Sequence, residues 1–556
     1  MRISVVITTF NRPKTVARTL ETLFAQEFPS SDYEIVVVVD GSTDGTAAML
    51  RGLQAPCTLS IIEQPNRGQG EARRVAVAAA RGELVLFLDD DMLCGRRLLA
   101  EHCAAHLAPE DRVVLGPVFF SPESRRSVAA ELACRSAHQF QPQPAFPDDA
   151  MTASNSSVRR STLLAMPVFD PQFSRYLQDI DTGMTLWKAG IAFHYEPNAV
   201  THHLYVKTAG EMVRSAWMQG SYDVRLSRKH PEYRPVCSAA RLCEGPLWKR
   251  VARQAVARAP WSVEPLLRAP FWLVERLRFL PLLDRAARGM LRARIGIAGV
   301  RGVVAEAGSW KQASSEFGAR LPALLYHHVG PVRPDACRPL TTPPELFARH
   351  IRWLAQQGYA GVRLSDWLAW RREGRPLLAR PLLITFDRAY ADIARHALPV
   401  LKAYGFGAAV FVITSQLWGG RGCDHSGAHD GVPLMSAQQI RQWAGEGVEF
   451  GTHGRRHRDL CTLSQRELDE ELEGSQIDLK NLLDRPAIAL AYPWGRFNQT
   501  VLNRTKRAYQ AAFGHNPGVN CLGTDSYGLR RVPCSGRPLF ALASWLKLGC
   551  GPFLLA

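Results

Sequence analysis

The sequence has no uninterrupted apolar run near the ~18 residues that a membrane-spanning helix requires. It has no Cys-x-x-Cys pair, and its 12 cysteines are scattered singly. A secreted disulfide scaffold is short and dense in cysteine, so these thiols are expected to be free, in a reducing compartment. The opening apolar run, Ile3 to Ile7, is too short for a signal-peptide core and leads straight into Thr-Thr-Phe-Asn-Arg. There is no internal repeat. Charged residues make up only 21% against 46% apolar, a balance that supports packed cores and excludes long disorder, collagen-like and coiled-coil readings. A cytoplasmic location, with a peripheral position on the inner face of the cell membrane as its variant, is the expectation.

What is present is length and positive charge. The chain has 556 residues, enough for two or three domains, and a formal net charge of +17. Residues 1–230 carry 24 basic and 25 acidic side chains, residues 231–319 carry 15 and 7, and residues 320–556 carry 29 and 19. The charge therefore divides the chain into a neutral N-terminal domain (1–235), a basic helical connector (236–318) and a moderately basic C-terminal domain (319–556).

Residues 1–116 alternate between strand-like and helical patterns. Ile3–Thr8, Glu34–Val39, Leu59–Glu63 and Glu83–Leu88 are short runs rich in Val, Ile and Leu, with helical patterns at Thr15–Gln26, Thr46–Leu53 and Gly70–Arg81. Buried parallel strands have this composition, so a doubly wound, Rossmann-like α/β sheet is predicted. Ligands in such sheets bind beyond the carboxyl ends of the strands. Two polar clusters stand there: Asp40-Gly-Ser-Thr-Asp-Gly-Thr46 and Asp89-Asp90-Asp91. The first reads as an Asx-type turn capping the next helix; a calcium loop is excluded because Arg51 stands where its closing Glu would be. The second is either a solvated helix N-terminus or a site where a divalent cation bridging to a diphosphate relieves the mutual repulsion of the carboxylates.

The ordered motifs Val-Val-Ile-Thr-Thr-Phe-Asn-Arg (5–12), Asp-Gly-Ser-Thr-Asp-Gly-Thr (40–46), Asn-Arg-Gly-Gln-Gly-Glu-Ala-Arg (66–73), Gly-Glu-Leu-Val-Leu-Phe-Leu-Asp-Asp-Asp (82–91), Gln-Asp-Ile-Asp (178–181) and Pro-Asn-Ala-Val-Thr-His (197–202) resemble those of the family-2 inverting glycosyltransferases with the GT-A fold. The resemblance covers roughly residues 1–235. It implies that Asp40 accepts from the nucleotide base with Thr9 beside it, and that Asp89 and Asp91 form the DxD pair. In the same way it implies that Asp91, completed by His202, holds Mg²⁺ or Mn²⁺ on the donor diphosphate, and that Asp179 is the base that deprotonates the acceptor. Hexosyl or N-acetylhexosaminyl transfer from a nucleotide sugar, a UDP-sugar foremost, to a glycan or lipid-linked acceptor follows, in cell-surface polysaccharide or glycolipid synthesis. The sequence departs from the family's Glu-Asp pair at Gln178, and from its usual Arg at Thr185.

Residues 246–301 hold 12 basic and 3 acidic side chains, interleaved with Trp248, Trp261, Phe271, Trp272, Leu273, Phe279, Leu280, Leu282 and Leu283 and divided by Pro260, Pro265, Pro270 and Pro281. This pattern fits either an interface with an anionic membrane surface or a helical hinge with Arg facing water. No nucleic-acid recognition motif accompanies the charge, so no nucleic-acid partner is expected.

From Leu321 onward βα alternation returns over some 230 residues, which predicts a barrel-like α/β domain with function at its strand ends. Thr385-Phe-Asp387, Gly451-Thr-His453-Gly-Arg-Arg-His457 and Ala491-Tyr-Pro-Trp-Gly495 close three strands, and His453 and His457 have a common metal-ligand spacing. These residues, with Tyr-His-His-Val at 326–329, resemble the polysaccharide deacetylases of carbohydrate esterase family 4 over about 321–535. The resemblance implies a distorted (β/α) barrel, Asp387 as base and Zn²⁺ on His453 and His457. Three features depart from it: Arg388 stands at the third ligand, Ala491 at the basic residue before Tyr-Pro, and no Leu-x-His follows in 515–545. A guanidinium cannot ligate zinc and its charge opposes a cation.

Two readings of this domain follow. One is a working deacetylase that removes N-acetyl groups from amino sugars with a rearranged site, recruiting Asp424, His425, His429 or Asp430. The other, favoured by the departures, is a glycan-binding pseudo-enzyme whose Arg388 meets an anionic group. A scaffold in which both sites have decayed is the third reading of the whole chain, opposed by the intact Asp89, Asp91 and Asp179.

Overall fold

The computed structural model describes all residues except 109, 125–126, 137–153, 205–206, 244–246, 259–262, 278–279, 332–339, 374, 376, 378–379, 418–432, 540, 543–545 and 547–556. The four alternative ligands between Asp424 and Asp430 lie outside the described residues. The chain divides into two compact units: residues 1–233 with 252–310, and residues 234–251 with 311–556. Most of the span that charge counting sets apart as a connector thus clusters with the N-terminal residues.

Among the described residues the first unit carries ten strands: β1 Ile3–Thr9, β2 Tyr33–Asp40, β3 Thr58–Gln64, β4 Leu84–Asp89, β5 Met92–Cys94, β6 Arg112–Leu115, β7 Val118–Phe120, β8 Ser156–Arg159, β9 Ala192–Tyr195 and β10 Thr201–His203. Seven form a sheet in the order β3-β2-β1-β4-β8-β6-β9, in which β8 runs antiparallel to β4 and β6; β5, β10 and β7 form a second, small sheet. The predicted parallel, doubly wound arrangement is present in the first four strands, and the sheet becomes mixed beyond β4. Alternation explains the two-sided core. Ile3, Val5, Ile7, Ile35, Val37 and Leu86 pack in one cluster, while Val6, Val36, Val38, Val85 and Phe87 pack in another. Successive side chains of a strand point to opposite faces, so runs apolar at every position must be covered on both.

In the same unit the helices Ala209–Lys229 and Pro281–Ala307 pack along each other. The prolines divide this region only in part as expected: Pro260 lies outside the described residues, Pro281 opens a new helix, and Pro265 and Pro270 fall inside one. Pro281 occupies the first turn of the 27-residue helix, where its missing N–H costs nothing, and Pro270 is carried inside the helix Val263–Arg276. The helix pair depends on absent side chains: a Cβ on Gly302 would overlap the carbonyl oxygen of Trp217, and one on Gly220 that of Gly299. Arg225 then pairs with Glu306 across the contact at 2.8 Å.

The second unit carries β11 Leu321–Tyr326, β12 His328–Val329, β13 Thr341–Thr342, β14 Ala360–Gly361, β15 Pro381–Asp387, β16 Ala408–Val412, β17 Glu449–Thr452, β18 Ala489–Ala491, β19 Ala511–Pro517, β20 Val519–Asn520 and β21 Leu529–Pro533. Seven of them close a ring of parallel neighbours, β11-β15-β16-β17-β18-β19-β21 and back to β11. This is the predicted barrel. No helix among the described residues is long and apolar enough to cross a membrane.

The glycine contact yields a stability test. Gly302→Ala should separate the two long helices and cost about 1–3 kcal/mol, read as a lower urea midpoint for the first unit, whereas Gly296→Ala, at a position open to space, should leave it unchanged.

Candidate functional sites

In the first unit the carboxyl ends of β1, β2 and β4 meet the end of β10, and a cleft of about 490 Å³ opens over them. Thr9, Asp40, Asp89, Asp91, His203 and Lys207 are among its lining residues. A cavity of this size suits a small organic ligand.

Asp40 anchors the loop that follows β3. Its carboxylate accepts from Gln64 Nε2 at 2.7 Å and from the backbone N–H groups of Arg67 and Gly68, each at 2.9 Å. Gly68 has φ +94°, and a Cβ there would meet the Ser174 carbonyl at 2.6 Å, so only glycine lets the loop pass.

Each of the three consecutive carboxylates has a guanidinium beside it, with Arg12 shared by two of them. Asp89 Oδ1 accepts from Arg73 Nη2 at 2.8 Å and from Gln69 Nε2 at 2.9 Å. Asp90 accepts from the Thr9 hydroxyl at 2.8 Å and from Arg12 Nη1 at 3.0 Å. Asp91 accepts from the same Arg12 Nη1 at 3.1 Å and lies 3.2 Å from His203 Nε2. Burial pushes the Asp89 carboxyl up against the pull of Arg73, and it pushes Asp90 up to about 6. Asp91 behaves differently. Burial alone would raise it, but the hydrogen bond and charge of His203, with Arg12 and Lys207, hold it below its ordinary value.

One assignment is corrected. His203, not His202, faces the cleft: the two are consecutive on β10 and point to opposite sides, so His202 stacks on Phe119 while His203 reaches Asp91. Asp179 sits in the first turn of the helix Gln178–Lys188, where its Oδ1 accepts from the N–H of Ile180 at 2.9 Å. It is outside the lining of the cleft, yet its charge contributes to raising Asp89. Gln178 has a specific partner. Its Nε2 donates to Gln69 Oε1 at 2.9 Å, and Gln69 in turn donates to Asp89. A glutamate could not make that donation. Arg175 and Lys207 were not singled out from the sequence, because nothing in their spacing aims them at the cleft; Arg12 and Arg73 were visible as the ends of the first and third motifs.

Among the described residues no three His, Cys, Asp or Glu side chains converge as a closed metal cage. Mg²⁺ and Mn²⁺ sites of the phosphate-binding kind need none, since one or two carboxylates and the ligand's phosphates suffice. Asp91, kept ionised beside Asp89 and next to His203, is a donor set of that kind.

In the second unit the strand ends of the barrel bring Asp387, His453 and Arg531 together with His457 and Arg388. Asp387 Oδ1 is 2.6 Å from Arg531 Nη1, and both side chains are buried. Burial alone would push the Asp387 carboxyl up; Arg531, with His453 and His327, overrides it and holds it far below the ordinary carboxylate range. The charge partner of Asp387 thus comes from β21, 144 residues downstream, and not from the neighbourhood of Ala491. His453 Nδ1 donates to the Ala491 carbonyl at 2.8 Å, which leaves its Nε2 lone pair facing His457 Nε2 at 3.2 Å. The intervening turn is not helical. Gly454 at φ +74° and His457 at φ +59° bend it so that the rings converge. Burial lowers both rings, His457 to about 2, so they are neutral.

A tetrahedral zinc with Zn–N of about 2.1 Å separates two nitrogens by about 3.4 Å, so the pair has the spacing of two zinc ligands. The third is absent. Arg388, at φ +71°, donates to the Tyr390 hydroxyl at 3.3 Å and lies over the Trp494 ring, and its charge depresses both histidines. The described residues do not complete a zinc site.

Comparison with known proteins agrees with this division. A glycosyl transferase family 2 model matches residues 4–160, and a polysaccharide deacetylase model matches residues 375–512. A putative polysaccharide deacetylase of Bacillus subtilis, YxkH, is 28% identical over 222 residues, 40% of this chain and 74% of the relative. The poly(ribitol-phosphate) beta-N-acetylglucosaminyltransferase TarS of Staphylococcus aureus is 35% identical over 106 residues, 19% of this chain and 18% of its own length. Among solved structures, the mannosyltransferase PcManGT of Pyrobaculum calidifontis, in complex with GDP-Man and Mn²⁺, is 20% identical with a TM-score of 0.37, covering 54% of this chain and 87% of that one. The Streptococcus pyogenes deacetylase PplD in complex with acetate is 24% identical with a TM-score of 0.37, covering 42% and 99%. The chain joins an N-terminal glycosyltransferase family 2 domain of the GT-A fold to a C-terminal polysaccharide deacetylase domain.

Proposed function

We propose that the first unit is an inverting glycosyltransferase that moves a sugar from a nucleotide-sugar donor, a UDP-sugar in our reading, to a glycan or lipid-linked acceptor. The observation that carries this is the cation-backed trio Asp89–Asp91 at the floor of the cleft, with Asp179 at the adjacent helix start. Asp40 receives the base, and Arg12, Arg175 and Lys207 offer positive charge to the diphosphate. Asp179 takes the proton of the acceptor hydroxyl, whose oxygen attacks the anomeric carbon from the face opposite the departing nucleoside diphosphate, giving inversion. Mg²⁺ or Mn²⁺ held by Asp91, with Asp89 and His203 beside it, supplies charge stabilisation to that diphosphate. Nucleotide sugars are cytosolic, and the process we assign is assembly of a cell-surface polysaccharide or glycolipid from the inner side of the membrane.

We infer that the second unit binds glycan without zinc-dependent hydrolysis, because Arg388 occupies the third-ligand position and Asp387 is committed to Arg531. The spacing of His453 and His457 favours a second reading, a bifunctional transferase and deacetylase with Asp387 as its base.

Three experiments test these assignments. Asp179→Asn should lower kcat for sugar transfer by about 10²- to 10⁴-fold while calorimetric donor affinity survives; wild-type turnover would sink the base assignment and favour a non-catalytic scaffold. His203→Ala should raise the Mn²⁺ concentration needed for half-maximal transfer, and His202→Ala should not. For the second unit, the full chain should bind zinc substoichiometrically and release no acetate from acetylated amino-sugar oligomers. Arg388→Asp should bring one tightly bound zinc per chain; stoichiometric zinc with acetate release in the wild type would establish the bifunctional reading instead.

A further inference from the structure

Outside these sites, one corner of the first unit exposes large apolar side chains. Trp272, Leu273, Leu277, Leu280 and Leu282 are all solvent-exposed, the first two at 54% and Leu282 at 78%. They fall where the helix Val263–Arg276 turns into the helix Pro281–Ala307, and these two helices pack on each other. The described residues on either side of 278–279 therefore form an apolar tip. Arg268, Arg276 and Arg285 are exposed around it, and the Arg276 guanidinium lies 3.9 Å from the centroid of the Trp272 ring.

Trp272 also forms one wall of a second cavity, about 680 Å³ in volume. Its charged lining is Arg214, Arg268, Arg294 and the single acid Glu275. Arg294 is buried against the Phe271 ring, which fixes it, while Arg214 and Arg268 are exposed. The N-terminal residues Thr208, Ala209 and Gly210 of the helix Ala209–Lys229 complete it. Lys207, one residue earlier, lines the donor cleft, so the two cavities adjoin through consecutive residues.

An apolar tip framed by arginines and continuous with an arginine-rich pocket is complementary to a bilayer with phosphate headgroups. Indole and leucine enter the acyl boundary, and guanidinium pairs with phosphate in a forked geometry. We propose that this corner is a membrane-docking site. Arg214, Arg268 and Arg294 take the phosphate headgroup of an anionic lipid, and Trp272, Leu273, Leu277, Leu280 and Leu282 enter the bilayer. It orients the donor cleft beside the lipid surface, where a lipid-linked acceptor would present its head. The site stands whether or not the cleft transfers a sugar.

Sedimentation of the full chain with vesicles tests it. Binding should be tight on phosphatidylcholine vesicles containing phosphatidylglycerol and weak on phosphatidylcholine alone. Arg214→Gln with Arg268→Gln should lower the partition coefficient by roughly 30-fold. Leu277→Asp with Leu282→Asp should abolish binding, and Trp272→Phe should remove part of the fluorescence quenching by brominated lipid. Unchanged circular dichroism and retained donor binding in the cleft would show that the variants fold. Equal binding of the arginine variant, equal binding to both vesicle types, or saturable binding of free inorganic phosphate without vesicle binding would overturn the proposal. So would a dimer in sedimentation velocity that the leucine variant dissolves while vesicles bind nothing, since the tip would then face a second copy of the chain.

Discussion

Three adjacent carboxylates at a buried strand end repel each other, and the first unit is arranged around relieving that repulsion. Arg73 comes from the helix that follows β3, Arg12 from the turn after β1, and His203 from a strand of the second sheet. Each group lies on a different element, so the pairing of β1 with β4 and the placement of β10 must both be right before the three aspartates can be buried side by side. The result is not uniform. Asp90 is driven toward protonation and locked by Thr9 and Arg12, while Asp91 stays ionised. The trio thereby separates a structural carboxylate from one that is available to a cation, a difference that three identical letters do not carry.

The second unit solves an electrostatic problem of another kind. Asp387 is buried and would be costly to ionise alone; Arg531 makes ionisation favourable from across the barrel. The same arginine occupies one oxygen of the carboxylate, Oδ1. Arg388 then adds a second guanidinium beside two neutral imidazoles, and its positive charge opposes a cation between them. Backbone strain gathers at these points. Leu177, Arg388, His457 and Trp494 all have positive φ, and each stands beside a residue of one of the two sites. Conformations of this sort persist only where surrounding packing holds them, which is the usual situation at ligand-binding positions.

The strands flanking both sites were legible in sequence because buried parallel strands are nearly continuous apolar runs: Ile3–Thr8 became Ile3–Thr9, and Glu34–Val39 became Tyr33–Asp40. The mixed half of the first sheet was not, since β8 and β9 are four residues long and lack such runs. Motif position placed the metal role on His202, but a one-residue difference on a strand reverses the face, and only the pairing of β10 with β5 and β7 decides which histidine looks inward. The absence of a basic residue at position 491 was correctly read as an absence. What the sequence could not say is that Arg531 pairs with Asp387 across the barrel.

The sequence by itself determined the two α/β domains, the carboxylates at the ends of β2 and β4, the substitution of Arg388, and the concentration of basic and aromatic residues between 246 and 301. These are properties of local composition and order, which a chain carries whether folded or not. Only the tertiary structure decided which charge answers which. The pairing of Arg12 with Asp90 and Asp91, of Gln178 with Gln69, and of Arg531 with Asp387 joins residues separated by 78 to 144 positions. It likewise decided that the apolar part of the basic segment ends as an exposed tip beside an arginine pocket. Contacts at that separation follow from how strands order and helices cross, and those depend on the packing of the whole unit rather than on any stretch of it.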